Sequence, residues 1–178
     1  MHLFFFALLP PADLQAEVTA FKESARERFG SGHALRSPPH VTLVPPFRSP
    51  LTDFPTVERF AAGQIAFPVR LRHFARFDQR VIYVDVVADE PLLACQRDLA
   101  QFCEEQFGIS RDSRPFHPHM TVAFRDLSRA VFPDAWAYFS SLTYERTFVA
   151  DRLTLLRHTG DRWQIAHEWP LTGLPSGE

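Results

Sequence analysis

The sequence has almost no lysine, little excess charge of either sign and no long apolar run. Of its 19 basic residues only Lys22 is a lysine, and 21 acidic residues bring the formal net charge to −2. This balance excludes a polybasic nucleic-acid coat and an acidic tail. The longest fully apolar stretch, 3–11, is much shorter than the roughly 20 residues that span a bilayer. No membrane segment is therefore predicted.

Cysteine is also scarce, and its spacing excludes two kinds of site. Cys95 and Cys103 lie eight residues apart, which matches neither a CxxC redox pair nor a zinc-ligand pattern. We expect both to be reduced thiols in the core. No basic residue precedes the stretch 3–11 and an acidic amphipathic segment follows it, which predicts a buried first strand instead of a signal peptide. Without a targeting signal or a disulfide framework, a cytoplasmic protein is expected.

Apolar residues make up 46% of the chain and charged residues 22%, as in a soluble protein with one domain or two small lobes. Apolar periodicity and turn residues predict strands at 2–9, 67–77, 80–87, 119–124, 144–149, 151–158 and 162–169, and a further strand that begins at 40–43. They predict helices at 12–29, 54–62 and 90–107, and a helical segment around Trp136. The mixture indicates an α+β protein.

The two halves of this pattern repeat. An offset of 79 residues places Pro39-His40-Val41-Thr42-Leu43 on Pro118-His119-Met120-Thr121-Val122. Helix then falls on helix, and no linker separates the halves, so that an internal duplication is indicated. We predict one bilobal α+β domain over 1–178, with lobes at about 1–79 and 80–170 and a short tail at 171–178.

The repeated string has the residue types that phosphodiester chemistry needs. Because side chains alternate along a strand, His40 shares a face with Thr42, and His119 shares a face with Thr121. Lobes that face each other would bring two imidazoles and two hydroxyls to one cleft. One histidine can then act as a base and the other as an acid, while the threonines donate hydrogen bonds to the phosphoryl oxygens.

On these two motifs, His40-Val41-Thr42-Leu43 and His119-Met120-Thr121-Val122, and on the order of the lobes, the chain resembles the 2H phosphoesterase superfamily. Within that superfamily it is most similar to RNA 2',3'-cyclic phosphodiesterases and 2'-5' RNA ligase-like proteins. The resemblance implies two antiparallel sheets flanking a central cleft, with helices outside, and metal-independent attack on a phosphodiester. It also implies that His40 is the proton donor and His119 the acceptor, whereas the residues alone leave the two roles open.

Three further residues are candidates for substrate binding. Counting by twos from His119 along a regular strand directs Arg125 into the cleft, where its guanidinium could bind a phosphate. Phe47 and Phe124 follow the two motifs and could stack on a nucleobase. The near-zero net charge favours a short ligand, a nucleotide or an RNA-terminal phosphodiester, over a long nucleic-acid footprint. No cofactor, metal or obligate protein partner is predicted, and we expect a monomer.

Two other functions stay open at this point. The same pocket could bind a nucleotide or an RNA end without turnover, although binding alone does not require two titrating groups. Alternatively, His117 and His119 could ligate a metal in a metal-dependent hydrolase, but no carboxylate or thiolate accompanies them in the string.

Overall fold

Two repeats of strand, helix, strand, helix and strand make up most of the fold, and two further strands complete it. The computed structural model describes residues 1–174. The strands are β1 (His2–Leu8), β2 (Val41–Ser49), β3 (Phe67–Phe77), β4 (Val81–Val86), β5 (His119–Ala123), β6 (Glu145–Ala150), β7 (Arg152–His158) and β8 (Trp163–Pro170). The α-helices are α1 (Ala12–Phe29), α2 (Thr56–Ala62), α3 (Glu90–Phe107) and α4 (Phe132–Ser140). A short 3₁₀ helix, His33–Arg36, lies between α1 and β2.

The strands of residues 1–174 form two four-stranded antiparallel sheets, which confirms the predicted α+β class. The first sheet has the order β2-β1-β7-β8 and the second the order β5-β4-β3-β6. The motif strands β2 and β5 therefore occupy equivalent edges. Each lies beside the strand that opens its repeat, β1 or β4, so that the duplication places the two motifs in matching surroundings.

The two sheets do not correspond to the two halves of the sequence. The strand β3 belongs to the first half but pairs with β4 and β6, and β7 of the second half pairs with β1. A tight turn at Asp78, whose φ is +49°, joins β3 to β4 and makes them antiparallel neighbours. The lobe boundary expected near residue 79 is therefore not the boundary between the sheets.

The chain is also fixed just beyond β8, where we expected a tail to begin. Leu171 is buried, and its backbone N–H donates to the carbonyl of Asp151 at 2.8 Å. The Gly173 N–H donates to the carbonyl of Gln64, also at 2.8 Å. The expected tail therefore starts later than residue 171, and its last four residues lie outside the described part of the chain.

Each long helix packs on the sheet opposite to the strand that precedes it. Helix α1 follows β1 but packs on β5, and α3 follows β4 but packs on β2. This exchange joins both sheets into one hydrophobic core. A separate small cluster of Phe5, Ala7 and Leu156 covers the other face of the first sheet. Within residues 1–174 no helix has the length and apolarity needed to cross a membrane.

Strand β2 continues well past the motif. The sequence predicts that this strand begins at 40–43, and in the structure it includes Pro45 and Pro46 and continues to Ser49. Proline lacks a backbone donor and is tolerated at the edge of a sheet, where one side of the strand needs no partner. Since β2 is an edge strand, it can carry both prolines past the motif.

Candidate active site

Both motif histidines are held by the same local hydrogen bond. His40 immediately precedes β2, and its Nδ1–H donates to the carbonyl of Pro38 at 2.7 Å. His119 begins β5, and its Nδ1–H donates to the carbonyl of His117 at 2.7 Å. A carbonyl oxygen can only accept, so the proton lies on Nδ1 in both rings. The Nε2 atom of each imidazole is left as the position for proton exchange with a ligand.

An aromatic ring from the neighbouring strand supports each imidazole. The centroid of the Phe5 ring on β1 lies 4.8 Å from that of His40. The Tyr83 ring on β4 lies 5.2 Å from His119, and the Phe77 ring lies 5.0 Å from it. These contacts restrict both imidazoles from the side of the sheet and leave each ring partly exposed.

A cleft of about 200 Å³ brings residues of both motifs together. It is lined by Phe5, His33, Ala34, Arg36, Ser37, His40, Thr42, Pro46, Thr121, Phe124, Arg125 and Trp163. His40 and Thr42 come from the first sheet, whereas Thr121 comes from the second. His119 lies two residues before Thr121 on β5, and it is close enough to His40 for its charge to affect that imidazole.

Arg125 lines the cleft, but not for the reason that strand parity suggested. Strand β5 ends at Ala123, and Arg125 has a φ of +56°, in the left-handed region that non-glycine residues seldom adopt. The expectation of a regular strand up to Arg125 was therefore wrong. A turn, instead of the strand, directs the side chain, and the guanidinium carbon lies 5.6 Å from the centre of the Phe124 ring.

The carboxylate of Asp126 explains why the chain turns at this point. It accepts hydrogen bonds from Ser31 Oγ at 2.9 Å and from the backbone N–H groups of Gly32 at 3.0 Å and His33 at 2.9 Å. The His33 ring also contacts Phe124 edge to face, with centroids 5.1 Å apart. These contacts join the segment after β5 to the segment after α1 and build one wall of the cleft. Sequence reasoning missed Asp126, because its partners are more than 90 residues away.

Of the two phenylalanines expected to stack on a base, the structure places only Phe124 at the cleft. Phe47 is 9% exposed and lies in the hydrophobic core, where its ring contacts those of Phe4, Phe6 and Phe54. Its neighbour Pro46 faces the cleft instead. The expectation of a stacking role for Phe47 is therefore wrong, because Phe47 pairs across β1 and β2 with Phe4, whose side chain lies in the core.

A tryptophan that the sequence did not single out also lines the cleft. Trp163 begins β8, and its ring contacts Phe5 with centroids 4.6 Å apart. Phe5 in turn contacts His40, so that an aromatic wall extends from β8 to the first motif. No local pattern could reveal this, since it depends on β7 and β8 joining the first sheet.

The two imidazoles differ in their electrostatic surroundings. Burial, then the positive charge of Lys22 and the proximity of His119, lower the pKa of His40 to about 4, although its hydrogen bond to the Pro38 carbonyl opposes the shift. Burial also lowers the pKa of His119, and its hydrogen bond to the His117 carbonyl opposes that shift in the same way. The difference lies in the charged neighbours, because the carboxylate of Asp85 raises the pKa of His119 whereas the ammonium group of Lys22 lowers that of His40. A bound phosphate would raise both pKa values, because a nearby negative charge favours the imidazolium form.

His117 makes contacts of its own beside the second motif. Its Nε2 and the Tyr83 hydroxyl are hydrogen-bonded at 3.2 Å, and its ring centroid lies 6.5 Å from that of His119. Throughout residues 1–174, no group of three or more His, Cys, Asp or Glu side chains is arranged to hold a metal ion. The two histidines of the HxH string therefore have no third protein ligand in this part of the chain.

Comparison with known proteins identifies the family. Residues 10–162 match the model of the 2'-5' RNA ligase superfamily. The chain belongs to this superfamily. A comparison with curated sequences gives no significant match.

Solved structures share the fold of this superfamily member over nearly its whole length. The protein TT0787 of Thermus thermophilus has a TM-score of 0.70 at 21% identity, covering 97% of this chain and 99% of that one. Escherichia coli LigT complexed with 3'-AMP has a TM-score of 0.65 at 20% identity, covering 96% and 98%. Usb1 of Kluyveromyces marxianus has a TM-score of 0.52 at 12% identity, covering 95% and 98%. At these identities the likeness establishes the common bilobal fold.

Proposed function

We propose that this chain is a phosphodiesterase that opens a 2',3'-cyclic phosphate, or cleaves a related 2'-linked diester, of RNA or a nucleotide. The observation that carries the proposal is the cleft where His40 and Thr42 of one sheet meet Thr121 of the other, with His119 beside them. Both imidazoles have Nε2 available for proton exchange. Two such groups are what a displacement at phosphorus requires, one for the attacking oxygen and one for the departing oxygen.

In this mechanism each residue has one task. A neutral imidazole accepts the proton of the attacking water, and an imidazolium protonates the departing sugar oxygen. Following the superfamily resemblance, His119 is the acceptor and His40 the donor. Since burial and Lys22 favour neutral His40 in the free protein, the negative charge of the substrate's phosphate must raise the pKa of His40, so that the ring takes up a proton from water before the step. His40 then gives this proton to the leaving oxygen and becomes neutral, while His119 holds the proton of the attacking water.

The phosphoryl oxygens need hydrogen-bond donors as negative charge develops on them. The Thr42 and Thr121 hydroxyls face the cleft from opposite sheets and can donate to these oxygens. Arg125 adds a charged donor from the turn after β5, and Arg36 lines the same cleft. Phe124 and Trp163 offer aromatic faces to a base, which supports a nucleotide or an RNA end as the ligand. The complex of LigT with 3'-AMP supports the same ligand class.

The test is a substrate panel assayed with excess chelator. It includes 2',3'-cyclic mononucleotides, RNA ending in a cyclic phosphate, 2'-5'-linked dinucleotides and ADP-ribose cyclic phosphate. We expect turnover of at least one member, and loss of that turnover in both His40→Ala and His119→Ala. Tight binding of these compounds without turnover would instead show a nucleotide-binding module.

The same panel separates acid-base chemistry from metal catalysis. The proposed groups supply protons and hydrogen bonds, so activity is expected to survive exhaustive chelation. Loss of activity with EDTA and its recovery with a divalent ion would contradict the proposal and favour a metal bound at His117 and His119.

A further inference from the structure

The only lysine of the chain is buried in the hydrophobic face of α1. Lys22 is 2% exposed and shares this face with Leu14, Val18 and Ala25. Among the described residues no carboxylate forms an ion pair with it, as the ion pairs of residues 1–174 involve arginines and histidines only. Burying a charged lysine costs folding free energy unless hydrogen bonds or an ion pair stabilise its ammonium group.

Two backbone carbonyls bind this ammonium group. Lys22 Nζ donates to the carbonyls of Ala34 and Ser37, each at 3.0 Å. Both acceptors belong to residues that line the cleft. The next residue, Pro38, supplies the carbonyl that fixes the His40 imidazole. A direct chain of contacts therefore runs from α1 through segment 34–38 to His40.

Lys22 also acts on His40 through its charge. Burial lowers the pKa of Lys22 to about 7, so the side chain is cationic in the more acidic range where His40 titrates. The other charged or titratable groups around His40 are His119 on β5, which also lowers its pKa, and the cleft-lining side chains His33, Arg36 and Arg125. Lys22 differs from all of these in approaching from the core side, where solvent cannot screen it.

We propose that Lys22 is a positioning residue for His40, which holds segment 34–38, and with it the Pro38 carbonyl that binds the imidazole, against α1. The buried positive charge of Lys22 also favours the neutral form of that imidazole. Only the expected effect of Lys22 on turnover rests on the proposed function. The position of the segment and the titration of His40 are properties of the free protein, and they can be tested without a substrate.

The first experiment follows the imidazole signals by NMR as the pH is changed. In the unmodified protein His40, assigned by its absence in His40→Ala, is expected to titrate at lower pH than His119. In Lys22→Met and Lys22→Gln the His40 transition is expected to move to higher pH, because the buried positive charge is gone. An unchanged His40 transition in the two variants would overturn the electrostatic part of the proposal.

Comparison of the two variants separates charge from hydrogen bonding. Gln retains two N–H donors for the carbonyls but no charge, whereas Met retains neither. On the best substrate of the panel we expect Lys22→Met to lose about tenfold or more in kcat/KM, and Lys22→Gln to recover part of that loss. Equal kcat/KM in Lys22→Met and the unmodified protein would show that the hydrogen bonds from Lys22 to segment 34–38 are not needed for turnover.

Val18→Ala serves as the matched control. Val18 is fully buried one turn earlier on the same face of α1, and its truncation leaves a cavity without removing a charge or a hydrogen-bond donor. It is expected to lower stability and to leave the His40 transition unchanged. If the His40 transition moved as far in Val18→Ala as in Lys22→Met, the effect of Lys22 would be one of packing only, and the proposal would be wrong. If Lys22→Met does not fold, Lys22→Gln and the order of the His40 and His119 transitions in the unmodified protein still decide the question.

Discussion

The two motif strands have the same backbone geometry and different neighbours. Each histidine donates from Nδ1 to the carbonyl two residues before it, and each ring lies against an aromatic residue of the adjacent strand. The charged neighbours of the two imidazoles differ. The buried Lys22 lowers the pKa of His40, whereas Asp85 is the register partner of His119 between β4 and β5 and carries a negative charge. The duplication thus sets the positions of the imidazoles, and neighbours that are not duplicated set their protonation.

The ends of the two motifs differ in the same way. Six residues after His119 comes Arg125, while six residues after His40 comes Pro46, and both line the cleft. The helices differ as well. The buried positions of α3 are Leu92, Cys95, Leu99 and Cys103, none of them basic, whereas those of α1 include Lys22. The two repeats therefore have similar backbones but carry their cationic groups at different positions. Each of these differences can be tested by substitution.

The largest effect is expected at the histidines themselves. His40→Ala and His119→Ala should each reduce turnover about a hundredfold or more, because each removes one proton-transfer group. Turnover on the best substrate measures the loss, and circular dichroism checks that the fold is kept. A variant that retains more than about a tenth of the activity would show that its strand does not supply an acid or a base.

Arg125 tests the difference between the ends of the motifs. Arg125→Met should weaken kcat/KM by about 1.5–3 kcal/mol, the range for loss of a charge-assisted hydrogen bond to the phosphate. Arg129→Met is the control, since Arg129 is exposed and lies outside the cleft-lining residues of the described chain. Similar small losses in both variants would mean that the Arg125 guanidinium stays in solvent.

The pH dependence of stability tests the difference between α1, which buries Lys22, and α3, whose buried positions include no basic residue. The pKa of Lys22 is lowered from 10.5 to about 7 by burial, so that between these values the folded chain binds fewer protons than the unfolded chain. The free energy of unfolding should then rise with pH by up to about 1.4 kcal/mol per pH unit relative to Lys22→Met. Urea titrations of both proteins from about pH 7 to pH 10 measure this slope. Parallel pH dependences would contradict a lowered pKa for Lys22.

The smallest effect is expected from Asp85. Although burial lowers the pKa of His119, the Asp85 carboxylate raises it, so Asp85→Asn should move the His119 transition to lower pH. The rate should be bell-shaped in pH, and the same substitution should move both limbs of the profile, because both limbs belong to the coupled pair. NMR titration of both histidines is the check. A shift of His40 equal to that of His119 would show that the two surroundings are not independent.

Several elements follow directly from local patterns. The predicted bounds of α1 and α3 agree with the structure, because apolar residues at spacings of three and four end in each case at a glycine with positive φ. The pairing of His40 with Thr42 and of His119 with Thr121 on one face also follows from alternation along a strand.

Other expectations failed because they extended a local rule too far. Phe47 was expected at the cleft because it follows the first motif, but it pairs across β1 and β2 with Phe4 and lies in the core. The parity count to Arg125 assumed a continuing strand, whereas Asp126 binds the segment after α1 and turns the chain out of β5. In both cases a partner distant in sequence decided the outcome.

The sequence by itself determined the two HxT motifs, their spacing, the helices and strands around them, and hence the kind of chemistry the chain can support. Only the tertiary structure decided which strands share a sheet, that Trp163 and Arg125 reach the cleft, and that Lys22 lies beneath the segment leading to His40. The physical reason is the distance along the sequence over which each effect acts. Periodicity and capping act within a few residues, whereas strand pairing, burial and the electrostatic field at an imidazole are set by groups brought together from distant parts of the chain.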